Sequence, residues 1–183
     1  MSSELLPLPE ELLASARATL AFHPDFPKPG ITFCDFLPLF RAPAVLKPLL
    51  AAAAAAISAR FPGLTFMAGL ESRGFLLLPL ALELGLPFVA LRKAGKLPGA
   101  CARVAYALEY GEGVLEAQEG CVARGARGLI VDDLLATGGT AAAAAGLLRA
   151  LGAEPAGVFC VVELGALGGA ARAGLPVAAL FRL

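Results

Sequence analysis

The sequence predicts an α/β fold with a mostly parallel central sheet and helices on both faces. Three observations carry that expectation. Past residue 60, short apolar segments of strand length alternate with segments of helical spacing. Glycine- or proline-bearing turns separate them, as at Gly69–Gly74, Gly138-Gly139 and Gly152. The chain has 183 residues, 58% of them hydrophobic and 16% charged, which suits one domain with a well-filled interior.

The elements follow in order. Pro9 with Glu10 and Glu11 reads as a helix start, and Leu12, Leu13, Ala16 and Leu20 carry helical spacing to about Ala21. His23 to Gly30 holds Pro24, Pro27 and Pro29 and reads as a loop. Pro43 opens a second helix to about Arg60, whose alanine run Ala51–Ala56 favours helix. Leu64–Ala68 reads as a buried strand, Gly69–Gly74 as a loop, and Phe75–Leu84 as a helix with Pro79 placed to kink it. Pro87–Leu91 is the next strand. Lys93–Arg103 is basic and contains glycine, so a mobile loop is expected. Tyr106–Tyr110 and Val114–Gln118 flank Gly111-Glu112-Gly113 and read as a hairpin. Gly128–Val131 reads as a short strand, Gly139–Leu151 as a helix stopped by Gly152, and Val158–Val162 with Val177–Phe181 as the remaining strands.

Composition excludes several classes. Fifteen basic and fifteen acidic residues cancel, so no overall field draws nucleic acid or anionic lipid. Mean hydropathy is +0.75, yet no uncharged run has the length and character of a membrane span. The N-terminus carries Glu4, Glu10 and Glu11 and does not resemble a secretion signal, so a cytoplasmic protein without a membrane or nucleic-acid partner is expected. Cys34, Cys101, Cys121 and Cys160 are scattered and form no C-x-x-C pair. His23 is the only histidine, which argues against a Ser-His-Asp triad.

The stretch richest in chemistry is Val131-Asp132-Asp133-Leu134-Leu135-Ala136-Thr137-Gly138-Gly139-Thr140. An apolar strand leads into two carboxylates, then into a small glycine turn and a helix start. Backbone N–H groups and the helix dipole suit a phosphate dianion there, with Thr137 and Thr140 able to add hydroxyl donors. Asp132 and Asp133 suit sugar hydroxyls or a hydrated Mg²⁺. Neither a Walker loop nor G-x-G-x-x-G occurs.

This stretch resembles the phosphoribosyl-diphosphate (PRPP) motif of type I phosphoribosyltransferases. Asp25–Phe33, Gly69–Phe75, Arg92–Gly99 and Tyr106–Gly111 are similar to segments of adenine phosphoribosyltransferases, close to the animal form, in matching order over nearly the whole chain. The resemblance implies the type I fold over residues 1–183 as one domain. Residues 1–40 would supply an N-terminal helix and a hood over the base, and 41–183 the core with its mobile hairpin loop. It implies purine salvage: adenine and PRPP become AMP and diphosphate, with Mg²⁺ held mainly by PRPP and waters near Asp132 and Asp133, in a homodimer.

The resemblance also assigns roles. Ala136, Thr137, Gly138, Gly139 and Thr140 would hold the 5′-phosphate, and Asp132 and Asp133 the ribose. Ser72, Arg73, Arg92, Lys93 and Lys96 would meet the diphosphate, with Arg92 reaching the neighbouring subunit. Phe33 and Leu134 would sandwich adenine, and the backbone near Thr32 and Cys34 would read its edge. Glu109 would be catalytic beside Arg73, managing the purine's charge near N7. Tyr110 and the segment Ala94–Val104 would close over the substrates. Three positions depart from the family pattern: Cys34 where arginine is usual, Phe36 where isoleucine is usual, and Glu71 for the aspartate of the animal form. Two alternatives stay open, a non-catalytic PRPP or nucleotide-binding regulator and a phosphoribosyltransferase for another base. Glu109 argues against the first, and Leu108-Glu109-Tyr110 against the second.

Overall fold

The structure is a computed structural model that describes residues 3–26, 28–30, 32–71, 73–107 and 112–183, with backbone only at residues 73, 74, 107 and 112. Its strands are β1 (Ser3–Leu5), β2 (Ala21–His23), β3 (Phe33–Asp35), β4 (Phe66–Leu70), β5 (Phe88–Lys93), β6 (Cys101–Ala107), β7 (Glu112–Gln118), β8 (Arg127–Leu135), β9 (Glu154–Glu163) and β10 (Val177–Arg182). Its helices are α1 (Glu10–Thr19), α2 (Leu37–Phe40), α3 (Pro43–Arg60), α4 (Leu78–Glu83), α5 (Gly139–Ala150) and α6 (Gly169–Ala173).

Eight strands form the main sheet in the order β1-β10-β9-β8-β4-β5-β7-β6, parallel from β1 to β5. The hairpin β6–β7 then extends the β5 edge antiparallel. β2 and β3 make a separate antiparallel pair. Buried residues alternate along the central strands between two cores. Ala68, Ile130, Val158 and Cys160 face α5 and α6, while Met67, Leu129, Phe159 and Val161 face the side of α1 to α4. Helices on both faces and a mostly parallel sheet agree with the sequence expectation.

α3 shows why helices form where they do. Pro43 sits in its first turn, where a missing N–H costs nothing, and Leu49, Ala53 and Ile57 make a buried line on one face. By length and mean hydropathy this helix could also cross a membrane, but that line is spent on the sheet.

Several boundaries differ from expectation. β8 does not end at Val131, because β9 stays beside it: Asp132 pairs with Cys160, Leu134 with Val162 and Leu135 with Glu163. β4 runs Phe66–Leu70, two residues later than expected, in register with β5 and β8. Pro79 does not kink a long helix. A 3-10 turn at Arg73–Leu77 precedes it, and Pro79 lies in the first turn of α4. The segment expected as a mobile loop is partly sheet, since Lys93 closes β5 and Cys101–Val104 pair with Leu115–Gln118. His23 belongs to β2 and not to the proline loop. β1 escaped the sequence reading: three residues carry no period, and only the pairing with β10 makes them a strand.

Candidate active site

The site grows from the sheet's topology. β4 leads through α4 to β5 on one side, whereas β8 leads through α5 to β9 on the other. β4 and β8 are neighbours, so the chain diverges between them and a crevice opens beyond their C-terminal ends. The loop after β4 carries Glu71 and Arg73, and the turn after β8 carries Ala136, Thr137 and Gly138. Sequence reasoning therefore grouped residues that the fold does bring to one end of two adjacent strands.

Asp133 is buried and Asp132 half-buried near the end of β8. The Asp132 Oδ1 accepts the backbone N–H of Asp133 at 2.9 Å, which orients the first carboxylate along the strand. The chain then enters α5 through Gly138, whose φ of +79° is a left-handed conformation that glycine adopts without strain. The Gly138 carbonyl accepts the Ala142 N–H at 2.9 Å, and the first-turn N–H groups of α5 have no partner within the helix. A helix start with such free N–H groups is a favourable place for an anion. Thr137, Gly139 and Thr140 are half-buried around it.

Gly138 is also pressed by a distant segment. A Cβ on Gly138 would collide with the carbonyl of Gly169, and one on Gly169 would collide with the carbonyl of Ala136. The start of α6 thus buttresses the turn, through a contact that sequence reading missed.

The basic turn after β5 has its own frame. Glu71 takes a two-pronged bond from Arg92, with Nε to Oε2 at 3.1 Å and Nη2 to Oε1 at 3.2 Å. The Lys93 N–H also donates to Glu71 at 3.0 Å, and Arg92 Nη1 donates to the Lys96 carbonyl at 3.1 Å. The Arg92 hydrogen bond is the main reason the Glu71 carboxyl lies below its ordinary value, against the opposing effect of burial. Within this chain the Arg92 guanidinium thus serves both Glu71 and the Lys96 carbonyl. Lys93 and Lys96 are exposed at the turn.

The β2–β3 pair carries an aromatic cluster. β2 and β3 pair Phe22 with Cys34 and His23 with Phe33. Asp25 shapes the loop between them, with a φ of +55° and its Oδ1 accepting the Gly30 N–H at 2.7 Å. A cleft of about 540 Å³ is lined by His23, Asp25, Phe26, Phe33, Asp35 and Phe36, among others. Phe26 meets Phe33 edge-on at 5.2 Å. Thr32 is exposed, while Cys34 and Leu134 are half-buried against the α1–α4 side of the sheet. Burial, then the charge of Asp35, pushes the Cys34 thiol up from its ordinary value.

Ser72, Glu109 and Tyr110 lie outside the described residues, and Arg73 is described by its backbone at the start of the 3-10 turn. Among the described residues no group of three or more His, Cys, Asp or Glu side chains could cage a metal. The donor set at Asp132 and Asp133 fits only an ion that brings most of its own ligands, as Mg²⁺ does.

A mostly parallel sheet with an acidic strand end and a glycine turn at its switch point fits the class of type I phosphoribosyltransferases. An adenine phosphoribosyltransferase of Rhodospirillum rubrum is 50% identical over 158 residues, 86% of this chain and 91% of that protein. The chain belongs to the adenine phosphoribosyltransferase family. No family model matches it. The Saccharomyces cerevisiae enzyme, solved with D-2,5-dideoxy-2,5-imino-altritol 1,6-bisphosphate and adenine, superposes with a TM-score of 0.90 at 42% identity, covering 94% of this chain and 99% of that one. The Trypanosoma brucei enzyme, solved with AMP, pyrophosphate and ribose-5-phosphate, has a TM-score of 0.85 at 25% identity, covering 98% of this chain and 87% of that one.

Proposed function

We propose that this chain moves the 5-phosphoribosyl group from PRPP to adenine. The C1–N9 bond forms, the bond from C1 to the diphosphate oxygen breaks, and the N9 proton leaves the base. The observation that carries this is the glycine turn at the end of β8, buttressed by α6 and placed beside Asp132 and Asp133 at the switch point of a family member's sheet.

Each group of residues then has a task. Backbone N–H groups from Ala136 to Thr140 and the hydroxyls of Thr137 and Thr140 hold the 5′-phosphate. Asp132 and Asp133 accept the ribose hydroxyls. Ser72, Arg73, Arg92, Lys93 and Lys96 offset the charge of the departing diphosphate, which matters most in an oxocarbenium-like transition state. Phe33 and Leu134 cover the purine faces, and backbone near Thr32 and Cys34 reads its edge. Glu109 exchanges a proton with the purine, and Tyr110 with the segment Ala94–Val104 closes over the pair to exclude water. Mg²⁺, when bound with the diphosphate near Asp132 and Asp133, neutralises charge on that leaving group.

The same reading covers assembly and place. The exposed Leu78 and Leu82 of α4 follow the diphosphate loop directly and support a homodimer through that helix. We place the enzyme in the cytoplasm, without membrane or nucleic-acid partners, as one domain with residues 1–40 covering the base. The resemblance to the animal form rests on Asp25–Phe33, Gly69–Phe75, Arg92–Gly99 and Tyr106–Gly111.

The test is a steady-state assay with PRPP, Mg²⁺ and adenine, hypoxanthine, guanine or uracil in turn. AMP from adenine alone is expected. Nucleotide from another base would move the substrate, and PRPP binding without any product would favour a regulator.

A further inference from the structure

Glu116 is a charged side chain with no exposed surface, sitting outside every role assigned above. It occupies the middle strand of three. Its register partners are Arg92 on β5 and Arg103 on β6. A strand carboxylate flanked by two arginines would ordinarily pair with one of them and stop there. Glu116 does more. Its Oε1 accepts the backbone N–H of Lys96 at 2.7 Å and that of Leu97 at 2.9 Å, while Oε2 accepts Arg103 Nε at 3.1 Å.

Those two N–H groups belong to the exposed turn after β5, where Gly95 takes a φ of +80°. Such a turn has few backbone partners of its own. Glu116 supplies them from below, and Glu71 grips the other end through Arg92 and the Lys93 N–H. The path from Lys93 to Leu97 is therefore held at both ends by carboxylates. Arg92 closes the frame by donating to the Lys96 carbonyl.

We propose that Glu116 is a positioning residue for diphosphate: its buried carboxylate fixes the Gly95–Leu97 backbone and thereby places Lys93 and Lys96. This deepens the functional reading above and rests on it. The carboxylate's electrostatics agree with a fixed, ionised anchor. Burial alone would raise its pKa, but N–H groups of Gly95, Leu97 and Lys96 and the Arg103 guanidinium outweigh that and hold it at about 2. Two features of the side chain can be separated, its reach to the turn and its charge. The turn needs the reach. Arg103 is 59% exposed and can turn to water if the charge is lost.

The experiment compares Glu116→Asp with Glu116→Gln under saturating adenine and then under saturating PRPP. Aspartate keeps the charge and loses the reach, and its KM for PRPP is expected to rise about tenfold or more, because small displacements of charge-bearing groups are costly. Glutamine keeps an acceptor oxygen for the two N–H groups, and its KM for PRPP is expected to stay within about threefold of the parent. The KM for adenine is expected to change little in either. Equal defects in both variants, an unchanged Glu116→Asp, or PRPP and adenine constants rising together would overturn the proposal. If Glu116→Asp does not fold, Glu116→Gln still decides, since a large rise in its PRPP constant contradicts the argument. A parent that forms no AMP overturns the functional reading and this inference together, whereas an active parent with indifferent variants overturns the inference alone.

Discussion

Gly138 leaves room for the Gly169 carbonyl and Gly169 for the Ala136 carbonyl, so the two glycines act as one joint. Gly169→Ala is expected to cost about 1–3 kcal/mol, the scale of forcing an extra methyl into a filled space. Because the joint bears on the turn proposed to hold the 5′-phosphate, PRPP affinity should fall as well, with adenine affinity nearly intact. Calorimetric titration of both ligands and a thermal melt would check this, and unchanged PRPP binding would separate α6 from the turn. Glu109→Ala should lower turnover about 10²-fold, the scale of lost acid–base assistance, while PRPP still binds. A variant as fast as the parent would remove Glu109 from the chemistry. Gly138 was legible in the sequence because a strand, a glycine turn and a helix are adjacent there. Gly169 was not, since its reason lies in a carbonyl thirty-odd positions away. Glu116 was hidden for a similar reason: a lone acid between Leu115 and Ala117 carries no sign that a turn will fold over it.

At the scale of elements, the hairpin and the β5 turn tie stability to pH. Glu71 and Glu116 both titrate below the ordinary 4.5 when folded. Their contribution is therefore full above the unfolded value and is lost as pH falls toward the folded one. Between about pH 6 and about pH 3 the urea midpoint of the parent should drop more steeply than that of Glu116→Gln. Parallel curves would show that this carboxylate is not coupled to folding. α3 presents a simpler case. Ile57 is fully buried, so Ile57→Ala should cost about 2–5 kcal/mol and lower the melting temperature accordingly. α3 was readable from its proline start and its alanine run. β8 was not, because its last four residues are strand only by virtue of β9, and an Asp-Asp pair ordinarily ends an apolar run.

For the whole molecule, alternation of elements was enough to predict a parallel sheet with helices on both faces, but not the strand order, which depends on pairings far apart in sequence. Leu82 of α4 is 72% exposed, an unusual degree for a leucine. Leu82→Asp should therefore shift a dimer toward monomer in sedimentation equilibrium, and an unaltered mass would move the interface elsewhere. The opposite edge of the sheet is closed by charge: Arg182 donates to Glu163 at 2.9 Å and to the Ser3 carbonyl at 2.8 Å, and Ser3 Oγ also donates to Glu163. This joins β1 to a strand that follows it by more than 170 residues. During translation β1 leaves the ribosome early and waits, unpaired, until β10 has been made. The sheet edge is thus sealed only after almost every other contact is available, and until then Leu5 and the free side of β10's future neighbour are open to other chains. Slowing synthesis would lengthen that interval without changing the finished protein at all.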